Sequence, residues 1–172
     1  MGRNAEPSAG IIDSQSVKGT PESSEESGFD GGKLVKGRKR HIVVDTMGYL
    51  LTVVVHAANI FDGKAARVVL EQLSETVNTL KKIWADNAYS GELEEWVQNT
   101  LACVLEIVKK VRSKGFHVLP RRWVVERTLA WLTRFRRLSK DYERKPSSSE
   151  SMVYIASIRL ILKQLGTAQS TC

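Results

Sequence analysis

The chain has little with which to staple itself. Its 172 residues include 2 cysteines, Cys103 and Cys172, and neither sits in a CxxC or other metal-type spacing. That argues against a disulfide scaffold or a zinc ribbon and suits a reducing cytosol. His56 has no neighbouring Cys or second spaced His, so zinc is not expected there. There is no Gly-x-x-x-x-Gly-Lys-[Ser/Thr] loop to cradle nucleotide phosphates. No Gly-x-Ser-x-Gly elbow and no low-pKa cysteine setting offers a covalent nucleophile. The N-terminal residues lack an apolar signal core, and no apolar run is long enough to span a bilayer. No internal repeat is visible. These absences leave a cytoplasmic protein with no membrane partner as the expectation.

What is present is an ordinary core and an unusual distribution of charge. The hydrophobic fraction is 42%, typical of a globular protein, and the length suits one domain. Net charge is +7, and residues 107–145 carry 13 Lys+Arg against 3 Asp+Glu, a local excess of +10 that leaves the remainder at −3. Basic charge concentrated in one region points to a polyanion such as nucleic acid.

Hydrophobic periodicity supplies the elements. Residues 10–16 read as a short strand whose polar end holds Asp13; as a structural feature, Asp13 would cap a turn with Ser14. Residues 19–32, rich in Ser, Gly and Glu, read as a mobile loop. The basic run at 31–41 leads into a strand and reads either as a solvated loop or as a phosphate clamp. Residues 41–46 and 49–56 are β-branched and form a hairpin around Met47-Gly48, with Asp45 as a turn residue. Residues 62–73 form an amphipathic helix with Asp62 as its N-cap. A strand at 80–86 ends in Asp86. Then come a helix at 92–101 with acids in its first turn, a strand at 104–108 and a basic linker at 109–114. The last helix spans 152–165 after a basic, Ser-rich loop, with Ile155, Ile158, Leu162 and Leu165 as its buried stripe. The order implies an α/β fold: three antiparallel strands, then parallel strands alternating with helices.

The organising stretch is residues 120–138, read as one helix opened by Pro120. Val125, Leu129 and Leu132 form its apolar stripe, and Trp131 and Phe135 are expected in the core. Arginines surround one acid, Glu126, which is either a salt-bridged surface residue or a metal ligand in an electropositive groove. The parallel strands would bring Asp13 and Asp86 together, and the helix could lay Glu126 across that edge. Three carboxylates in a dry pocket repel one another unless a cation joins them. An all-oxygen set favours Mg²⁺ or Mn²⁺. Two such ions about 3.5–4 Å apart can stabilise the attacking and leaving oxygens of a phosphodiester displacement.

Five segments carry a family resemblance: Ile11-Ile12-Asp13-Ser14-Gln15-Ser16-Val17-Lys18, Gly37-Arg38-Lys39-Arg40-His41, Trp84-Ala85-Asp86-Asn87-Ala88-Tyr89-Ser90-Gly91, Pro120-Arg121-Arg122-Trp123-Val124-Val125-Glu126-Arg127-Thr128 and Arg136-Arg137-Leu138-Ser139-Lys140-Asp141-Tyr142-Glu143. In this order they resemble the catalytic region of bacterial insertion-sequence transposases of the DDE class, nearest the insertion-sequence-five group. The resemblance runs from about residue 9 to 165. It implies an RNase H-like fold over 9–145, after a flexible N-terminus at 1–8, with the helix in 146–172 packed on the same domain. It implies strand cleavage by water with Mg²⁺ or Mn²⁺, two ions in all, then attack of the freed 3′-hydroxyl on target DNA. Asp13, Asp86 and Glu126 match the catalytic and metal-binding triad. Lys36, Arg38, Lys39, Arg40, Arg121, Arg122, Arg127, Arg134, Arg136 and Arg137 are the expected DNA contacts. The implied partners are transposon ends, target DNA, a second copy on the DNA, and an N-terminal DNA-binding polypeptide; the implied place is the bacterial nucleoid.

The match has departures. Arg122 fits the arginine of the wider class's Tyr-Arg-Glu-Lys signature, but Leu119 holds the tyrosine position and Thr133, beside Arg134, the lysine position. Asn87-Ala88 replaces an expected Gly-Gly pair, which stiffens that turn. Full-length relatives carry a helical N-terminal region, and this chain starts almost at the first strand. The alternative expectation is therefore a catalytically silent, DNA-binding fragment that regulates an intact enzyme.

Overall fold

A computed structural model describes residues 6–23, 25–108 and 121–169, with side chains to residue 166. Pro120, Leu119, the basic linker at 109–114, most of the N-terminal stretch 1–8 and Cys172 lie outside the described residues.

One mixed sheet forms the middle of the molecule. Strand β1 (Ala9–Lys18) is central. It pairs antiparallel with β3 (Val35–Asp45) along its length, from Gly10 opposite Asp45 to Lys18 opposite Gly37. On its other side it runs parallel to β5 (Lys82–Ala85), and β5 runs parallel to β6 (Val104–Ile107). The outer edge of β3 is shared by β4 (Leu50–Ala57) and the short β2 (Gly28–Asp30). This is the mixed sheet expected from the sequence, antiparallel strands followed by parallel ones, with one strand added: β2 lies inside the stretch read as a mobile loop.

β1 and β3 also run longer than their apolar patterns. β1 continues five residues past Asp13, so that acid sits in mid-strand rather than at a strand end. β3 begins at Val35 and takes in the basic run from Lys36 onwards. Gly37 permits their close pairing, because a Cβ there would stand 2.1 Å from the Val17 carbonyl oxygen.

Alternation along the strands then sorts side chains to two faces. Ile12, Val43 and Ile83 face helices α1 (Asp62–Thr76) and α2 (Glu92–Leu101). Ile11, Ile42, Val44 and Trp84 face α3 (Trp123–Thr133), and α4 (Pro146–Gln169) closes that side over β4. Each fully buried aliphatic side chain contributes roughly 1.5–3 kcal/mol, so these two layers fix the sheet between its helices.

The helices correct four expectations. α3 is shorter than 120–138: Arg121 has φ +74°, outside helical space, and Phe135 is extended with ψ 121°, after which residues 136–138 make a 3-10 turn. Trp131 stays half-exposed, while Phe135 packs partly against the core. α4 starts at Pro146, so the Ser-rich stretch is its first turns. Its buried face is Ser149, Val153, Ala156 and Ser157, whereas Ile155, Ile158, Leu162 and Leu165 are exposed. Small residues are what a helix lying close on β4 has room for.

Candidate active site

The two-residue period of the strands puts both aspartates on the α3 side. Asp13 follows Ile11 by two residues, Asp86 follows Trp84 by two, and Ile11 is paired with Trp84 across the β1–β5 ladder. Asp86 lies just past the end of β5 and keeps an extended backbone. Its side chain accepts the Ala88 N–H at 2.8 Å and caps the 3-10 turn at Asn87–Tyr89. Glu126 comes from the first turn of α3. That helix is pinned over the β3–β4 turn, because the Arg127 guanidinium donates to the Met47 carbonyl at 2.7 Å and the Thr128 hydroxyl to the Gly48 carbonyl at 3.1 Å. The Arg127 guanidinium is itself held between the rings of Trp123 and Trp131.

At the meeting point stands Arg122. A single nitrogen, Nη2, lies 3.4 Å from Asp13 Oδ2, 3.7 Å from Asp86 Oδ2 and 3.3 Å from Glu126 Oε1. The three acids are therefore gathered around one point, although 73 and 40 residues separate them along the chain. Exposure is graded: the Arg122 side chain is 5% exposed, Asp13 17%, Asp86 26% and Glu126 55%. Burial pushes the Asp13 carboxyl above its ordinary range and outweighs the Ser14 N–H and Arg122; Asp86 and Glu126 push the same way as burial. The cluster is thus a set of partly dry, mutually repelling oxygens around one fixed positive charge.

The donor set suits a hard cation, since all three side chains offer oxygen. As they stand, no group of three His, Cys, Asp or Glu among the described residues is arranged to hold an ion; the guanidinium fills the middle. Its Nε and Nη1 are buried and have no hydrogen-bond partner. The chemistry of the set fits a divalent ion.

The expected DNA contacts divide sharply. Lys36, Arg121, Arg134, Arg136 and Arg137 are exposed. Arg121 stacks on Trp84 at 4.3 Å, and Arg137 is paired with Glu143 at 2.7 Å. Arg38, Lys39 and Arg40 are buried within β3, so this part of the basic run is not a solvated loop, whereas Lys33 in the preceding turn and Lys36 are exposed. Arg38 gives its donors to the carbonyls of Glu25, Glu143 and Arg144 and to Asp141. Arg40 gives its own to Leu138 and Lys140, and burial pulls its guanidinium down to about 10. Arg122 is buried as described, and Arg127 is half-buried and committed to Met47.

One further correction lies on the opposite face. Asp62 is the first residue of α1 rather than its cap; it accepts from the Ser14 hydroxyl at 3.0 Å and from Lys39 Nζ at 2.9 Å. Beside it runs a buried relay that the sequence did not single out. The Tyr89 hydroxyl lies 2.7 Å from His41 Nε2, His41 Nδ1 lies 3.4 Å from His56 Nε2, and His56 Nδ1 lies 3.0 Å from the Ala57 carbonyl oxygen. A carbonyl can only accept, so for neutral rings the protons sit on His56 Nδ1, His41 Nδ1 and the Tyr89 oxygen. The relay anchors Tyr89, and with it the turn that carries Asp86. The signal in the sequence was Tyr89 itself, three residues after Asp86 in the same turn segment.

Asp45 is the turn residue the sequence suggested, accepting the N–H groups of Met47 and Tyr49. Among the described residues, no helix is long and apolar enough to cross a membrane.

Comparison with known proteins places this geometry in context. The chain is 29% identical over 116 residues to a putative transposase for insertion sequence element IS402 from Burkholderia cepacia, across 63% of this chain and 55% of that protein. The chain thus spans about half the length of that relative. Among solved structures it is similar to a piggyBac transposase synaptic complex with hairpin DNA, at 18% identity and a TM-score of 0.42 over 66% of this chain and 25% of that one. A likeness at that level adds nothing to the topology read from the strand pairing. The family described as "Transposase DDE domain" matches residues 4–161, nearly the whole chain. The chain belongs to the DDE-domain transposases.

Proposed function

We propose that this chain is the catalytic domain of an insertion-sequence transposase that cleaves a DNA strand with water and joins the freed 3′-hydroxyl to target DNA. The observation that carries the reading is the convergence of Asp13, Asp86 and Glu126 on one point. Family membership supports it, as does the name of the insertion-sequence relative. In this reading the three carboxylates hold Mg²⁺ or Mn²⁺, two ions in the full assembly. Bound there, such ions supply Lewis-acid stabilisation of the attacking and leaving oxygens.

The chain's own residues do the rest. Asp13, on β1, and Asp86, just past the end of the neighbouring β5, set a fixed floor. Glu126, more exposed, comes from a helix and closes the set from above. The relay through Tyr89 holds the Asp86 turn still, which matters because misplacing a reacting centre by about 1 Å can cost 10²-fold in rate. Exposed Lys36, Arg121, Arg134, Arg136 and Arg137 hold phosphates of the strand. Transposon ends, target DNA, a second copy on the DNA and an N-terminal DNA-binding polypeptide are the partners, and the nucleoid is the site of action.

The test is nicking of supercoiled plasmid. The parent chain is expected to nick with Mg²⁺ or Mn²⁺ and not with EDTA, and Asp86→Asn to abolish nicking while remaining folded. If Asp86→Asn nicks as fast as the parent, the triad is wrongly assigned. Salt-sensitive DNA binding with no nicking under either ion would instead mark a silent DNA-binding fragment.

A further inference from the structure

The arrangement of Arg122 has a meaning beyond charge balance. Its Nη2 touches all three acids at 3.3–3.7 Å, yet none of these legs reaches the 2.7–2.9 Å of a good charge-assisted hydrogen bond. Its other donors, Nε and Nη1, are buried and unpartnered. Arg38 shows what a settled buried arginine looks like in this fold: three carbonyls and one carboxylate take its donors. Arg122 is held by charge at a central position rather than by hydrogen-bond fit. A group held in that way is replaceable by a stronger cation.

We propose that Arg122 is a built-in stand-in for the divalent ion: its guanidinium keeps the three acids gathered in the metal-free protein and must leave when the ion enters. The proposal rests on the triad reading above. Arginine does not lose its proton, so it cannot share the position with a metal by becoming neutral. It stands at the N-cap of α3, four residues before Glu126, so its side chain can leave while that helix keeps its place. In this role Arg122 is a positioning residue.

The consequence is coupling between metal and DNA. Metal entry expels a guanidinium, so metal binding in the absence of DNA is weakened by competition. A phosphate strand offers the expelled guanidinium a new partner, so DNA raises metal affinity, and by linkage metal raises DNA affinity by the same factor. This gives Arg122 a place in DNA binding despite its burial, and it keeps a hydrolytic metal site poorly loaded until a strand is present.

The experiment compares the parent and Arg122→Gln by electron paramagnetic resonance of free Mn²⁺, with and without a DNA duplex. Without DNA, Arg122→Gln should bind Mn²⁺ at least about tenfold more tightly. DNA should tighten Mn²⁺ binding by the parent and leave the variant unchanged. In EDTA the variant should melt several degrees below the parent, and Mn²⁺ should restore it. Equal Mn²⁺ affinity in the two proteins would overturn the stand-in role while leaving the triad in place. Failure of both proteins to retain Mn²⁺, or retention undiminished by Asp13→Asn and Asp86→Asn, would overturn the triad and the inference with it.

If Arg122→Gln does not fold, the parent decides by ¹⁵N NMR. The Arg122 Nε–H signal, assigned through Arg122→Lys, should be protected in EDTA and exchange rapidly with water once Mg²⁺ is added. Persistent protection at saturating Mg²⁺ would refute the displacement.

Discussion

Two basic regions of this protein look alike as sequence and behave as opposites in the fold. Residues 36–41 of β3 put Arg38, Lys39, Arg40 and His41 inside, where Arg38 and Arg40 are 0% exposed. The end of α3 and the turn after it leave Arg134, Arg136 and Arg137 in the open. The difference is what supplies the partners. On β3 the backbone of the segment around 138–144 folds over the strand and offers carbonyl oxygens in fixed places. At the end of α3 the cations have solvent and one acid, Glu143. A guanidinium surrounded by carbonyls is a structural bolt; the same group left in water is a charge available to a polyanion. Net charge by itself does not tell the two apart.

The largest effect is expected from breaking the buried side. Arg38→Met should leave Asp141 buried beside unmatched carbonyls of Glu143 and Arg144. Removing one partner of a buried ion pair costs about 3–5 kcal/mol. Urea unfolding should show that loss or outright failure to fold, while whatever folded protein remains keeps its DNA affinity. Should Arg38→Met prove stable and lose DNA binding instead, the roles of the two regions would be reversed.

His41 sharpens the same contrast by pH. Burial, helped by the neighbouring His56, lowers its ring to about 3, against 6.5 in water. Between those values the unfolded chain takes up a proton that the folded chain refuses. Stability attributable to His41 is therefore complete above pH 6.5 and falls as the pH drops towards 3, by up to a few kcal/mol. His56, also lowered by burial, adds in the same direction. NMR of the folded protein should keep His41 in its neutral Nδ1–H form down to the acid transition. A folded-state midpoint at the ordinary value of about 6.5 would contradict the buried relay.

How much of this was legible follows from the range of the interactions. The β3–β4 hairpin, α1, α2, β5 and β6 are set by local alternation and turn chemistry, and they read correctly. Asp13, Asp86 and Glu126 could be singled out because an acid beside an apolar strand, or alone on a basic helix, is locally anomalous. The fate of Arg38 and Arg40 was not legible, because all their partners but Glu25 lie 98–106 residues away. The ion pairs of Arg122 are not legible for the same reason: Asp13 and Asp86 come from other elements. α4 misled in another way. Its large aliphatic residues form a convincing stripe, yet the face it buries is Ser149, Val153, Ala156 and Ser157, and that choice is a property of the packed pair. β2 is three residues in a Ser- and Glu-rich stretch, too short to show a period.

The gentlest change tests the open side. Arg134→Ala with Arg136→Ala removes two exposed cations for which no side-chain ion pair appears among the described residues. Exposed substitutions of this kind shift stability by no more than about 0.5 kcal/mol each. Every cation that neutralises one phosphate contributes about 0.9 to the slope of log affinity against log salt, so the double variant should give a slope shallower by about 2. The weakening should be the same for unrelated duplex sequences, because phosphates carry no sequence information. Fluorescence anisotropy across a salt series gives the slope, and urea unfolding checks stability in parallel. An unchanged slope would mean that the strand does not cross the end of α3, and the DNA path would have to run from the acids past Arg121 and Lys36 instead.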